Sequence, residues 1–512
     1  MEEIILYAAF LVSAIAASLR PAHMLQLASY QWPGYLRWLK SDAQALAKFA
    51  PAAFVALLSL WEAFFVNYIA AGLFLLWIWV VFPRKGAKKP FKLTARALRI
   101  LIVTALLLAL FPAAAHFAGG RFRLIILVVG YVGVLLLVAL ANLLLSPLQK
   151  AINNRYIRDA QKKLRPGLPV IGVTGSYGKT SVKTYIAHLL SLRYNVLATP
   201  ESYNTPMGVV RTIRERLEAS HNVFVCEMGA RHVGDIREIC DIVHPKHGVL
   251  TAIGTQHLET FKTPENIAKT KFELIGALPP DGLAFLAWGN EAIRRYGEKT
   301  PNAVRYAVSG DQTLDVRAEN LHADARGVRF DIVTREGERE SFTTSLLGAH
   351  NIGNITAAIA VALKLGIPLH ELPPAVRSLK PAKHRLEMLP KGGGLTVIDD
   401  AYNANPAGAA AALEALSLFR CMKVIVTPGM VELGGSEEAE NTAFGRAIAA
   451  VCDYTALVGA QTGPIRNGLR EAGYTEDNVK TFTTFQEAYQ WAVSLEAEEK
   501  VILIENDLPD NY

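Results

Sequence analysis

Apolar positions follow two regimes along the 512 residues. Up to about residue 148 they run on in long blocks with no polar face. Beyond it they come in short β-branched runs that alternate with helical stretches. A hydrocarbon core about 30 Å thick takes roughly 20 helical residues, so each block in the first regime can be tested by length. Residues 4–19 form one short span, and 100–118 and 124–146 form two more around a polar turn holding Gly119, Gly120, Arg121 and Arg123. The run from Phe49 to Phe82 is too long for one crossing and has Glu62 and Asn67 near its middle. A charge at the bilayer centre costs about 2.5–3.5 kcal/mol, which favours an interfacial turn there between two arms of a helical hairpin. The pattern predicts about five crossings.

Basic residues set the expected orientation, because Lys and Arg gather on the cytoplasmic side. Arg20, Arg37, Lys40 and Lys48 follow the first span, and Arg84, Lys85, Lys88, Lys89, Lys92, Arg96 and Arg99 follow the hairpin. Both loops lie inside if the N-terminus is outside and the remainder of the chain is cytoplasmic. A cleaved signal peptide is the competing reading of residues 1–20, but Glu2 and Glu3 stand where a basic n-region belongs. Trp32, Tyr35 and Trp38, set among Arg37 and Lys40, suit an interfacial segment against membrane lipid. The basic loops read first as topology signals and second as a platform for anionic headgroups.

In the second regime the short runs predict strands at 169–174, 222–226, 247–253, 283–286, 395–398, 423–427, 455–458 and 500–504. Strands alternating with helices define an α/β class. Pro381 and the Gly392–Gly394 turn mark a boundary near 385. No repeat of solenoid period is present. Composition agrees: 51% hydrophobic and 19% charged residues exclude a wholly soluble or disordered chain. The net charge of +7 is a mild excess, much of it in the cytoplasmic loops and the linker, and nothing in it points to nucleic acid. Cys226, Cys240, Cys421 and Cys452 form no CxxC pair, which argues against a disulfide framework or zinc site and for a reducing compartment.

The strongest chemical signal is VIGVTGSYGKTS at 170–181, an apolar strand that runs into a glycine turn, Lys179-Thr180 and a helix. In such a loop backbone N–H groups wrap phosphate oxygens, Lys179 reaches the β/γ-phosphates and Thr180 ligates Mg²⁺. Val173 occupies the position of the first glycine in the strict P-loop spacing, so the loop is a variant. Gly175, Ser176, Gly178, Lys179, Thr180 and Ser181 are its expected nucleotide contacts. Glu227 and His257 each fall just beyond a predicted strand end, the edge where ligands gather in parallel sheets. The resulting organisation is multi-domain. It comprises an α-helical transmembrane region at 1–148, a basic linker at 149–165, a P-loop α/β ATP-binding domain at 166–384, and a C-terminal Rossmann-like α/β domain at 385–512.

The loop sequence, NTPMGV at 204–209, EMGAR at 227–231, IGTQHLETF at 253–261, IAKTKFEL at 267–274, GAHNIGN at 348–354, HRLE at 384–387, DDAYNANP at 399–406 and GMVELG at 429–434 together resemble the Mur ligase family. They are closest to the branch that adds D-alanyl-D-alanine to UDP-N-acetylmuramoyl-tripeptide, and coverage runs from about 165 to about 495. The resemblance implies ATP-dependent, ADP-forming amide synthesis through an acyl phosphate in bacterial cell-envelope construction, with two Mg²⁺ sites. Carried over by motif, Thr180, Glu227, His257 and Lys271 hold metal, with Lys271 rather than Lys269 expected to be carbamylated. His350, Asn351 and Asn354 meet adenine, while Arg385 and Asp400 close onto the phosphates from the last domain. Asn204, Thr205, Tyr402 and Asn403 are expected on the substrate side. The implied partners are a glycopeptide carboxylate acceptor and an amino-acid or dipeptide amine donor.

Two departures bear on specificity. The small domain with which relatives grip a UDP-sugar is not recognisable in residues 1–165, where apolar blocks stand instead. Likewise IENDLPDNY at 504–512 replaces the family's KGSR motif, putting acidic residues where a basic pair is expected. These departures extend the expectation to a lipid-linked acceptor, and they leave two alternatives: a ligase for another envelope polymer, and an ATP-hydrolysing membrane transporter or scaffold. The expected location is the bacterial cytoplasmic membrane, with catalytic domains in the cytoplasm.

Overall fold

The computed structural model describes residues 1–41, 55, 65–81, 90–120, 122–201, 203–254, 258–402, 405–431, 433–459 and 462–507. The chain divides into two compact units, Met1–Arg155 and Tyr156–Tyr512.

The first unit is helical. Helices Glu2–Leu27 and Ala95–Ala118 are each long and apolar enough to cross a membrane. The packed face of the first carries small residues such as Ala9, Ser13, Ala14 and Ala17, that of the second mixes Ala97, Thr104 and Ala115 with Ile100 and Leu108, and Ile4, Val12, Ile102, Leu106 and Leu110 point outward. The segment expected as one span at 124–146 is instead two helices, Phe122–Val132 and Val134–Leu144, bent by 62°. The break falls at Gly133, a poor helix former. Of the predicted hairpin, the second arm is the helix Val66–Val81; the first arm and the Glu62 turn lie outside the described residues, Val55 apart. At one end of this unit Glu3 pairs with Arg123 at 2.6 Å and His116 at 3.0 Å, and Asn67 donates to Glu2 at 3.4 Å. At the other, Gln26 bonds the backbone of Lys92 and Arg96 stacks 4.0 Å from the Tyr30 ring. Glu2, Glu3, His116 and Arg123 therefore share one end of the unit, and Lys92 and Arg96 lie at the other.

The second unit contains two sheets. The first has nine strands in the order β2-β3-β1-β4-β5-β6-β7-β8-β9. They are β1 Val170–Thr174, β2 Val196–Ala198, β3 Val223–Glu227, β4 His247–Leu250, β5 Ala284–Ala287, β6 Ala303–Val308, β7 Val316–Asp324, β8 Gly327–Thr334 and β9 Arg339–Thr344. Strands β1 to β6 run parallel, and β7 extends them before β8 and β9 turn back antiparallel. The second sheet has the order β10-β11-β15-β12-β13-β14. It comprises β10 Glu387–Gly392, β11 Leu395–Tyr402, β12 Met422–Thr427, β13 Tyr454–Val458, β14 Val479–Phe482 and β15 Lys500–Asp507, and only the edge strand β10 is antiparallel. Central strands buried on both faces read as unbroken apolar runs, which is why β1 and β3 are buried at every position. The residues expected at 149–165 are mostly one helix, Ser146–Lys163.

Candidate active site

The loop after β1 is shaped by its glycines. Gly175 and Gly178 have φ of 154° and 78°, and a Cβ at Gly178 would lie 2.5 Å from Asn354 Oδ1. The chain thereby turns into the helix Lys179–Leu190 with its first N–H groups unpaired within the helix, a ready anion seat. Ser176 fixes the turn, its N–H donating to Ala252 O at 2.8 Å and its hydroxyl accepting from Gly254 N at 3.0 Å. Lys179 Nζ lies over the loop and donates to Gly175 O at 2.7 Å and Ser176 O at 3.1 Å. Part of the Lys179 side chain reaches solvent, yet lost hydration around its amine, with Arg385 nearby, lowers its pKa to about 8 against the pull of Glu227. Gly178→Ala is expected to cost ~1–2 kcal/mol from the left-handed backbone alone, read as a lowered Tm, with a loss of ATP affinity beside it.

Glu227, 1% exposed at the end of β3, is the hub of the site. Its Oε1 accepts from Thr180 Oγ1 at 3.1 Å and Asn204 Nδ2 at 3.0 Å, and its Oε2 lies 3.0 Å from Lys183 Nζ. The Lys183 contact has ion-pair distance but not hydrogen-bond geometry, which leaves Oε2 with an open lone pair. Hard oxygen donors with an unfilled buried lone pair suit Mg²⁺. Lys183 was not singled out from the sequence, although it sits one helical turn beyond Lys179 and Thr180, where i+3 and i+4 side chains share a face. Asn204, expected on the substrate side, donates to Glu227. Thr205 is the N-cap of Pro206–Arg216, its hydroxyl accepting from Gly208 N at 3.3 Å. Ser181 is buried behind the loop.

Lys271 lies on the inward stripe of the helix Pro264–Gly276 with Ile267, Ala268, Thr270 and Leu274, while Lys269 is exposed. Burial, reinforced by the Lys179 cation, lowers the Lys271 amine to about 7, with Asp235 and Glu273 opposing. Asn351 is buried, its amide accepting from Tyr185 OH at 3.0 Å and donating to Leu347 O at 2.8 Å. Those bonds turn it inward as a brace for the helix Ala349–Lys364, whereas His350 remains exposed and Asn354 packs on the phosphate loop. His257 and Asn403 lie outside the described residues; Tyr402 is described in its backbone, in register with Asp507.

Arg385 enters between the sheets on a strained turn. His384 and Leu386, on either side of it, have φ of 59° and 46°, an uncommon conformation for bulky residues. Three side chains hold that turn: Asp399 meets His384 Nδ1 at 2.8 Å, Glu387 accepts from His384 N at 3.3 Å, and Asp400 accepts from Leu386 N at 3.0 Å. Burial raises Asp400, opposed by the Leu386 N–H, Arg385 and a side-chain hydrogen bond from Glu505. His384, Asp399 and Glu505 were not foreseen as site residues.

A phosphate loop with a braced carboxylate, facing an arginine from a second sheet, defines a nucleotide-dependent transferase or ligase class. The family described as Mur ligase middle domain matches residues 173–362, and that described as Mur ligase, glutamate ligase domain matches 384–505. The chain belongs to the Mur ligase family, whose members are ATP-dependent amide ligases. It is similar to the UDP-N-acetylmuramoyl-tripeptide–D-alanyl-D-alanine ligase of Escherichia coli K12, 30% identical over 345 residues, covering 65% of this chain and 73% of that one. The same-named ligase of Mycobacterium tuberculosis CDC 1551 is 34% identical over 319 residues, covering 61% of this chain. The match spans 62% of the mycobacterial protein's own length. The crystal structure of MurF from Acinetobacter baumannii aligns with a TM-score of 0.62 at 28% identity, covering 70% of this chain and 77% of that one.

Proposed function

We propose that the chain is a membrane-anchored ligase that joins a dipeptide amine to the carboxylate of a muramoyl-peptide precursor, cleaving ATP to ADP and phosphate. The observation that carries the reading is the hub at Glu227, braced by Thr180, Asn204 and Lys183 beside the Lys179 loop. An anionic carboxylate must approach a triphosphate, so this chemistry needs cations and aligned N–H groups more than acid or base power. Lys179 and the helix N-terminus would take up the charge of the transferring phosphoryl group, and Arg385 would reach it from the second sheet. The carboxylate oxygen takes the γ-phosphoryl group, ADP leaves, and the amine then attacks the acyl carbon and expels phosphate. Thr180 and Glu227 fit one Mg²⁺, with His257 and a carbamylated Lys271 proposed for a second; such ions supply charge neutralisation. Closure between the sheets would keep water from the acyl phosphate.

The helical unit supports the membrane assignment. Two of its helices are long enough to span, and large apolar side chains cover its outer face, a surface that suits hydrocarbon better than water. An acceptor carried on a membrane lipid is the form of substrate this anchoring favours. Purified full chain with ATP, Mg²⁺, UDP-N-acetylmuramoyl-tripeptide or its lipid-linked form, and D-alanyl-D-alanine should yield ADP and amide in equal amounts. ADP without amide would refute the ligase reading, and recovery of the chain in a detergent-free soluble fraction would refute the anchor.

A further inference from the structure

In the second sheet β11 and β15 run parallel with Asp400 opposite Glu505. Register partners on neighbouring strands point to one face roughly 5 Å apart. Two carboxylates thus share the C-terminal edge of the sheet, with the Arg385 guanidinium acting on both. Glu505 is 1% exposed; apart from the Asp400 carboxyl, to which it donates when protonated, neither of its oxygens has a hydrogen-bond partner among the described residues. Burial, then the facing Asp400, pushes its carboxyl well above the usual range. A buried carboxyl pair whose only partner is itself is costly to ionise, and an apolar residue in the same strand would avoid that cost. The arrangement suits a donor that arrives from outside.

Charge selects the donor. Once an arriving donor displaces the proton that the two carboxyls share, two carboxylates and one guanidinium leave a single negative charge, which a monocation balances; a divalent ion would leave a buried positive excess. An ammonium group also carries three N–H donors for the open oxygens of Glu505. Arg385 lies within electrostatic reach of both the pair and Lys179 of the nucleotide loop. We propose that Glu505, together with Asp400, receives the ammonium group of the incoming amine and sets the affinity for that substrate. The assignment rests on the ligase reading above and adds a recognition residue to it.

The probe amine is D-alanyl-D-alanine, assayed with purified full chain, ATP, Mg²⁺ and the muramoyl-tripeptide acceptor. Glu505→Gln keeps shape and burial, and is expected to raise the KM for the dipeptide roughly tenfold or more. The KM values for ATP and acceptor should stay within about twofold, and Glu505→Asp should recover part of the loss. On the wild-type chain, propylammonium should compete with the dipeptide, and N-acetylated dipeptide, which has no ammonium, should not. A folded Glu505→Gln with unchanged dipeptide KM overturns the assignment. If that variant does not fold, the wild-type competition decides, and equal inhibition by the N-acetylated dipeptide overturns it. Wild-type chain that forms no amide refutes the ligase reading and this assignment with it, whereas ligation with an insensitive Glu505→Gln refutes this assignment alone.

Discussion

Lys179→Ala is expected to lower kcat about 10²–10³-fold without unfolding the chain. The Nζ of Lys179 lies over the loop carbonyls at 2.7 and 3.1 Å, where a polyphosphate on the helix N-terminus would meet it. Its charge would count most when negative charge moves onto the leaving ADP, so the loss should fall on kcat as well as on the KM for ATP. The same residue sets a pH limb. Its folded-state pKa is depressed to about 8, so free enzyme carries the cation below that pH and loses it as pH rises through it. The kcat/KM for ATP, which reports free-enzyme groups, should therefore fall above pH 8, and the limb should vanish in the Ala variant. Activity within tenfold of wild type, or a flat profile through this range, would remove Lys179 from the phosphate site.

The legible parts of the fold were those where one physical signal dominates. Parallel core strands such as β1, β3, β12 and β15 are buried on both faces and show as apolar runs. Strands β7 to β9 went unread because they carry charged positions: Arg339 pairs across the sheet with Glu319 and Asp331, and Arg317 pairs with Glu319 along β7. Edge strands β2 and β14 are short, and β10 begins beside the strained turn at His384 to Leu386. In the site, a glycine-rich loop declares itself locally, whereas Lys183 and Glu505 gain meaning only when the fold brings Glu227 and Asp400 against them. Asn351 and Thr205 carry bonds that motif position does not disclose: one braces its helix and the other caps its own. The bend at Gly133 likewise escapes a hydropathy reading, which measures length and not direction.

Lys271→Ala is expected to reduce ligation by about 10²-fold or more, while Lys269→Ala stays close to wild type. The helix Pro264–Gly276 buries one stripe, and Lys271 lies on it one turn from Ile267 and Leu274; Lys269 faces solvent. Burial and the nearby Lys179 cation lower the Lys271 amine to about 7, so a large fraction is neutral at physiological pH. A neutral amine attacks CO₂, and loss of one proton leaves a carbamate, a metal-binding carboxylate in place of a cation. Removing dissolved CO₂ should then slow the wild-type chain and bicarbonate should restore it. Lys271→Arg, which cannot form the carbamate, should fail despite keeping the charge. Added acetate or formate should partly rescue the Ala variant by occupying the vacated space with a carboxylate. If Lys271→Arg retains activity, or if Lys269→Ala is the variant that loses it, the assigned modification falls while the phosphate loop and the Glu227 hub stand.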